Sequence, residues 1–183
     1  MTPMFRQVGR LTRGYDPEQV DDFFARARRV YEGDRTEPLT ARDVHSTAFD
    51  LVRGGYDSVH VDAALDRLER AFVTRQRAEF VAANGQQAWM DHLASQARTL
   101  YARLSRPDGE RFNRGRRGEV GYDPADVDDL CHRLVGYFDH GDTLTSDEVR
   151  HTTFRRRTGR AGYAEPSVDA FFARAVEVLL GVE

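Results

Sequence analysis

Four near-copies of one eight-residue stretch limit what this chain can build. They are Gly14-Tyr15-Asp16-Pro17-Glu18-Gln19-Val20-Asp21, Gly55-Tyr56-Asp57-Ser58-Val59-His60-Val61-Asp62, Gly121-Tyr122-Asp123-Pro124-Ala125-Asp126-Val127-Asp128 and Gly162-Tyr163-Ala164-Glu165-Pro166-Ser167-Val168-Asp169. Tyr15 and Tyr56 stand 41 residues apart, as do Tyr122 and Tyr163, and the second pair repeats the first after 107 residues. Self-similarity at such a period implies supersecondary units that bury their apolar faces on one another. Each copy also reads as the start of a helix. Asp16 suits the N-cap, Pro17 the first helical position and Gln19 the partner position of a capping box. Tyr15 and Val20 fall at the two ends of a hydrophobic staple, so the four tyrosines are expected to be buried. Gly14 supplies either a turn or a close approach of two backbones.

The remaining pattern is helical. Thr2-Pro3 could open a short helix ahead of an Arg- and Gly-containing loop. A first helix is expected from Pro17 to about Glu32, with Val20, Phe23, Phe24 and Ala27 on one face. Thr40 and Asp43 form a capping-box pattern opening a short helix that ends near Phe49, and Thr145 with Glu148 repeats it. The helix after Asp57 has no stop before Asn84-Gly85, and a further helix is expected to about Arg103. The series Phe80, Ala83, Gln87, Met90, Ala94, Ala97, Tyr101 and Leu104 offers it a heptad-like seam, for a helix packed within the monomer or for coiling between chains. Arg106-Pro107-Asp108-Gly109 is the candidate hinge. Ala164 replaces the capping Asp of the other copies, and Glu165-Pro166 is expected to move that cap forward by one residue. The reading is an all-α chain of duplicated helical repeats: repeats one and two over 1–83, a helical connector over 84–106 and repeats three and four over 107–183.

Phe5 or Phe112, a short loop with Arg and Gly, Gly-Tyr-Asp, then Val-Asp with an apolar helix behind it: this order resembles the DivIVA domain, and the chain resembles the short DivIVA-domain repeat proteins of actinobacteria. The resemblance is fullest from Leu39 through Phe49 to Asp62 and from Leu144 through Phe154 to Asp169. It implies a non-enzymatic cytoplasmic scaffold or adaptor of cell division or polar growth. Founding members bind curved membrane, insert an exposed aromatic from the loop, and dimerise through interlocked loops ahead of a parallel coiled coil. Here the copies come as covalent pairs, so pairing is expected inside the chain, with further self-association optional. The connectors Gly33 to Leu39 and His140 to Leu144 are short and would let the second helix run antiparallel to the first.

Charge and chemistry narrow the options further. The net charge is −3, which recruits neither nucleic acid nor acidic membrane through the whole-molecule field. All 27 basic residues are Arg, a bias that GC-rich coding explains. One cysteine, Cys131, allows no internal disulfide and is expected to be buried and inert. The six histidines lack metal-ligand spacing, no phosphate loop or nucleophile elbow is present, and no cofactor or catalytic group is assigned. No stretch reaches the ~20 apolar residues of a membrane span, so membrane contact would be peripheral. Asp21, Asp62, Asp128 and Asp169 recur six residues after each Tyr, and Arg26, Arg67, Arg133 and Arg174 eleven after. Each Asp is expected to pair across copies or with a loop Arg such as Arg13 or Arg53. The candidate binding surface is the two Arg clusters, Arg111, Arg114, Arg116 and Arg117, and Arg155, Arg156, Arg157 and Arg160. They suit an anionic membrane surface or, as the alternative, nucleic-acid phosphate, and the partners the resemblance implies are other proteins of cell division or polar growth.

Overall fold

In the computed structural model, which describes residues 3–34, 36 and 38–183, the chain is largely helical and carries two small antiparallel sheets. Thr2, the expected start of a short N-terminal helix, lies outside the described residues. The chain divides into two compact units, Met1–Ala78 and Glu79–Glu183. The division falls inside a helix, and residues 84–106 lie within the second unit.

The first unit contains β1 (Arg13–Tyr15), α1 (Pro17–Tyr31), α2 (Ala41–His45), β2 (Leu51–Arg53) and most of α3 (Ser58–Asn84). Asp16 caps α1, its carboxylate accepting from the Glu18 amide at 2.9 Å with Pro17 opening the helix. Gln19 does not complete a capping box. Its side-chain amide donates to Asp50 at 2.8 Å and its carbonyl accepts from the Asp50 amide at 2.9 Å, tying α1 to the approach of β2. Thr40 and Asp43 do form the expected box on α2, which stops at His45, short of Phe49.

The sheets are absent from the sequence reading, which took these stretches as loops. β1 pairs with β2, Gly14 opposite Val52, and Tyr15 exchanges backbone hydrogen bonds with Tyr56, the Tyr15 amide donating at 2.9 Å and the Tyr56 amide at 2.8 Å. A Cβ on Gly14 would collide with the Tyr56 carbonyl oxygen, and one on Gly121 with that of Tyr163. Of the two roles open to the glycine before each first tyrosine, close backbone approach is the one it performs.

This exchange sets the direction of the helices. Val20 packs with Val61 and Tyr56 in the buried core. Further on, the Tyr31 ring lies 6.0 Å from Phe72, and the Arg75 guanidinium donates to the Val30 carbonyl at 3.3 Å. Partners 41 residues apart thus meet at both ends, and α1 and α3 run parallel, contrary to the expected reversal. Both helices start from the same crossing, so the chain has to return along the length of α1, about 22 Å. It does so through the connector that carries α2.

The second unit holds α4 (Gln86–Leu104), β3 (Val120–Tyr122), α5 (Pro124–Val135), α6 (Ser146–Arg150), β4 (Arg156–Thr158) and α7 (Glu165–Val182). Gly85, at φ 88°, separates α3 from α4 as the Asn84-Gly85 break predicts. α5 runs on into one π-helical turn, Gly136–His140, which Gly141 ends in the left-handed region. β3 pairs with β4, and Tyr122 and Tyr163 exchange backbone bonds at 3.0 and 2.8 Å. Phe112 packs on Tyr163 and Phe171, each 5.3 Å between ring centres, as Phe5 packs on Tyr56 at 5.5 Å.

α4 buries Trp89, Leu93, Leu100 and Leu104, while Met90 and Ala94 of the expected seam are exposed. The reason is its neighbour: α4 packs on α7, where Trp89 Nε1 donates to the Gly181 carbonyl at 3.1 Å. The phase of an apolar stripe is set by the surface that receives it. Nor is 106–109 a free hinge. The Gly109 amide donates to Asp128 at 2.6 Å, and Arg111 bridges Asp108 at 2.5 Å and Asp128 at 3.0 Å.

The cap of α7 does not move forward. Ala164 remains the N-cap, in extended geometry and with no side-chain bond to the helix. Ala164→Ser restores that acceptor and should add about 1 kcal/mol of stability. The matching gain in Tm, about 2–4 °C for a chain of this size, is read by calorimetry.

Candidate functional site

The repeated residues converge on two crossings, one per unit. Tyr56 and Tyr163 are wholly buried, while Tyr15 and Tyr122, expected to match them, are half-buried. Val20, Val61, Val127 and Val168 are all sealed at 0% exposure, as their place on the inner helix face requires.

Each recurrent aspartate meets a tyrosine, and Asp128 also pairs with the loop arginine Arg111 at 3.0 Å. The Tyr56 hydroxyl donates to both Asp21 oxygens at 3.1 Å and accepts from the Met4 amide at 3.0 Å. The Tyr163 hydroxyl donates to Asp128 at 3.1 and 3.2 Å and accepts from the Arg111 amide at 3.2 Å. Conversely, Tyr15 shares a hydrogen bond with Asp62, and Tyr122 with Asp169. Each of the four repeat tyrosines therefore answers the aspartate of the copy it is paired with. The pairing across copies is legible in the recurrence of Asp; the tyrosine partner is not, because a staple position predicts packing of the ring and says nothing of its hydroxyl. Asp57 caps its own helix, accepting from the Val59 amide at 3.0 Å, and Asp123 does the same for Ala125 at 3.1 Å.

Burial moves the acid–base behaviour of several of these groups. Burial, reinforced by Asp169, pushes the Tyr122 phenol up to about 12, and burial with Asp128 beside it does the same to Tyr163. Burial also raises the carboxyls of Asp62 and Asp169. Cys131, enclosed in α5, is pushed up to about 12 by burial and remains a thiol at neutral pH. Among the described residues, no group of His, Cys, Asp or Glu could hold a metal ion.

The recurrent arginines diverge. Arg133 pairs with Glu148 of the α6 capping box at 2.7 Å, and Arg26 stands near enough to Asp43 of the α2 box to help lower its pKa. Arg67 and Arg174 point to the surface.

Five of the eight arginines of the proposed basic surface are engaged internally. Arg155 clamps Asp126 at 2.5 Å, Arg157 holds Asp123 at 2.6 Å, and Arg156 pairs with Glu165 at 2.8 Å. The Arg155 hydrogen bond in turn holds the Asp126 carboxyl below its ordinary range. Arg114 lies over the Tyr163 ring at 4.9 Å and donates to the Gly109 carbonyl at 2.6 Å. Arg111 is buried. Arg116, Arg117 and Arg160 are exposed; the Arg116 amide donates to Glu119 at 2.9 Å, and none of the three guanidinium groups forms an ion pair among the described residues.

The first unit carries a basic tip the sequence reading did not rank. Arg13 and Arg53 face each other across β1 and β2, with Arg10 exposed near the turn. Like charges directly opposite in a strand pair oppose pairing, and they concentrate positive potential at that edge. Leu11, 88% exposed, and Leu51, 53% exposed, stand beside them. In the second unit the facing residues are Val120 and Thr158, both neutral. Among the described residues, no helix is long and apolar enough to cross a membrane. No protein-family model, no curated protein and no solved structure matches the chain.

The phenol shifts fix a pH dependence. The unfolded chain releases tyrosine protons near pH 10, the folded chain near 12 at Tyr122 and Tyr163. The unfolded state then binds fewer protons, so stability present below pH 10 falls as pH rises towards 12. Denaturant unfolding across that range should show the decline, and Tyr122→Phe with Tyr163→Phe should lessen it, with Tyr101 and Cys131, also pushed up to about 12, supplying the remainder.

Proposed function

We propose that this protein is a non-enzymatic adaptor or scaffold of the DivIVA-like kind, built from four loop–helix repeats joined as two internal pairs. It works at the inner face of the cell membrane in cell division or polar growth. The observation that carries this reading is the reciprocal Tyr–Asp exchange, which joins the repeated residues pairwise inside the chain at Asp21–Tyr56 and Asp128–Tyr163, and at Tyr15–Asp62 and Tyr122–Asp169. An interlocked pair of loops is what the resemblance implies for two domains meeting in a dimer; here one chain supplies both. Covalent linkage raises the effective concentration of the second copy to the millimolar order for a short linker, so the pair forms without a second molecule. The repeats are then free to present loops and helix faces to other proteins.

Membrane contact falls to the tip of the first unit, because Arg155, Arg156 and Arg157 are committed to carboxylates. Arg10, Arg13 and Arg53 can each contribute about 1 kcal/mol near an anionic leaflet. Leu11 supplies a small apolar insertion beside them. Such contact is weak and salt-sensitive, since a Debye length of about 8 Å at physiological salt screens exposed charge.

Co-sedimentation with phosphatidylserine-containing vesicles should therefore show binding at low salt that Arg10→Ser, Arg13→Ser and Arg53→Ser together remove. Replacing Arg155, Arg156 and Arg157 should change it little. Binding that survives high salt contradicts an electrostatic contact, and shifts of DNA or RNA without vesicle binding would assign the arginines to nucleic acid. In the native host, a fluorescent fusion should collect at septa or poles; uniform fluorescence would count against the scaffold role.

A further inference from the structure

An apolar groove of about 450 Å³ lies open in the first unit, lined by Met4, Phe24, Arg28, Tyr31, Leu68 and Ala71. Met4 is 52% exposed and Tyr31 46%, so two large apolar side chains face water at its walls. The second unit shows what fits such a face. By the 107-residue offset that relates the paired tyrosines, Met4 corresponds to Arg111, Tyr31 to Phe138, Ala71 to Val178 and Thr74 to Gly181. There α4 lies along these positions. Arg111 Nε donates to the Leu104 carbonyl at 3.3 Å, and the Phe138 ring packs on Tyr101 at 5.8 Å. Trp89 bonds the Gly181 carbonyl, and a Cβ on Gly181 would meet Leu93. Val178 is 2% exposed, whereas Ala71 is half-buried and Thr74 exposed.

We infer that the groove of the first unit is a docking site for an amphipathic α-helix of a partner protein, held as α4 is held in the second unit. The occupant presents large apolar side chains at the i, i+4, i+11 and i+15 spacing of Trp89, Leu93, Leu100 and Leu104. The rim differs in chemistry, since Arg28, paired with Glu32 at 3.3 Å, stands where the second unit has Val135. A helix laid into an apolar groove through spaced anchors is a general mode of recognition. This inference rests on the adaptor reading and names the kind of partner it engages.

The test uses the full chain and, as probe, a fluorescent peptide with the α4 sequence, residues 86–104. Anisotropy should show saturable binding that Ala71→Arg and Leu68→Asp each weaken about tenfold or more, the effect of 1.4 kcal/mol. Arg117→Ser, on the second unit's loop, should leave it unchanged. Ala71→Arg is the decisive variant because it fills a half-exposed position without emptying the core, and circular dichroism checks that each variant is folded. Absence of saturable binding, or binding indifferent to both groove variants, overturns the inference. So does a dimer of the full chain that Ala71→Arg disperses, which would give the groove to a second copy. Vesicle binding and cellular position do not depend on these variants, so failure here leaves the scaffold reading standing, and failure there leaves the groove result standing.

Discussion

In each unit, two tyrosines 41 residues apart trade backbone hydrogen bonds, and the rest of the unit follows from that crossing. The exchange requires glycine before Tyr15 and Tyr122, since any side chain there would strike the opposite carbonyl. It brings two helix starts to one point and sends α1 and α3 off in the same direction. It also leaves the hydroxyls of Tyr56 and Tyr163 inside the unit, where an unbonded hydroxyl would cost about 1–3 kcal/mol. Asp21 and Asp128 remove that cost by accepting, and the Met4 and Arg111 amides supply the second bond. One geometric event thus explains why Gly, Tyr and Asp recur together at fixed spacing.

The two units meet the same contacts with different chemistry. Where Gln19 and Asp50 form a neutral amide–carboxylate pair, Asp126 and Arg155 form an ion pair at the corresponding place. Where Met4 borders an open groove, Arg111 is buried between Asp108 and Asp128 and holds the end of α4. The second unit has directed its arginines inward and covered its helix face. The first keeps Arg13 and Arg53 outward and its groove open. That asymmetry suits a division of labour, with one unit closed and the other presenting surfaces.

Local signals were legible in the sequence because they act over a few residues. The caps at Asp16 and Asp123, the boxes at Thr40 and Thr145, and the break at Gly85 stand where propensity puts them. What the sequence hid depends on partners distant along the chain. Three-residue strands carry no period long enough to register, so β1 to β4 were read as loops. The seam of α4 was misassigned because Met90 and Trp89 are both apolar, and only the receiving surface of α7 selects between them. Arg155, Arg156 and Arg157 read as a binding surface in the sequence because their acids lie on other elements.

The central claim is that each pair of copies closes within one chain. A fragment of residues 79–183 isolates the second crossing with the helix that covers it. Sedimentation with circular dichroism at micromolar concentration should find it helical and monomeric. An unfolded fragment would mean that the Tyr122–Tyr163 exchange needs more than its own unit, and a dimer that persists on dilution that it needs a second molecule; either result would contradict the account.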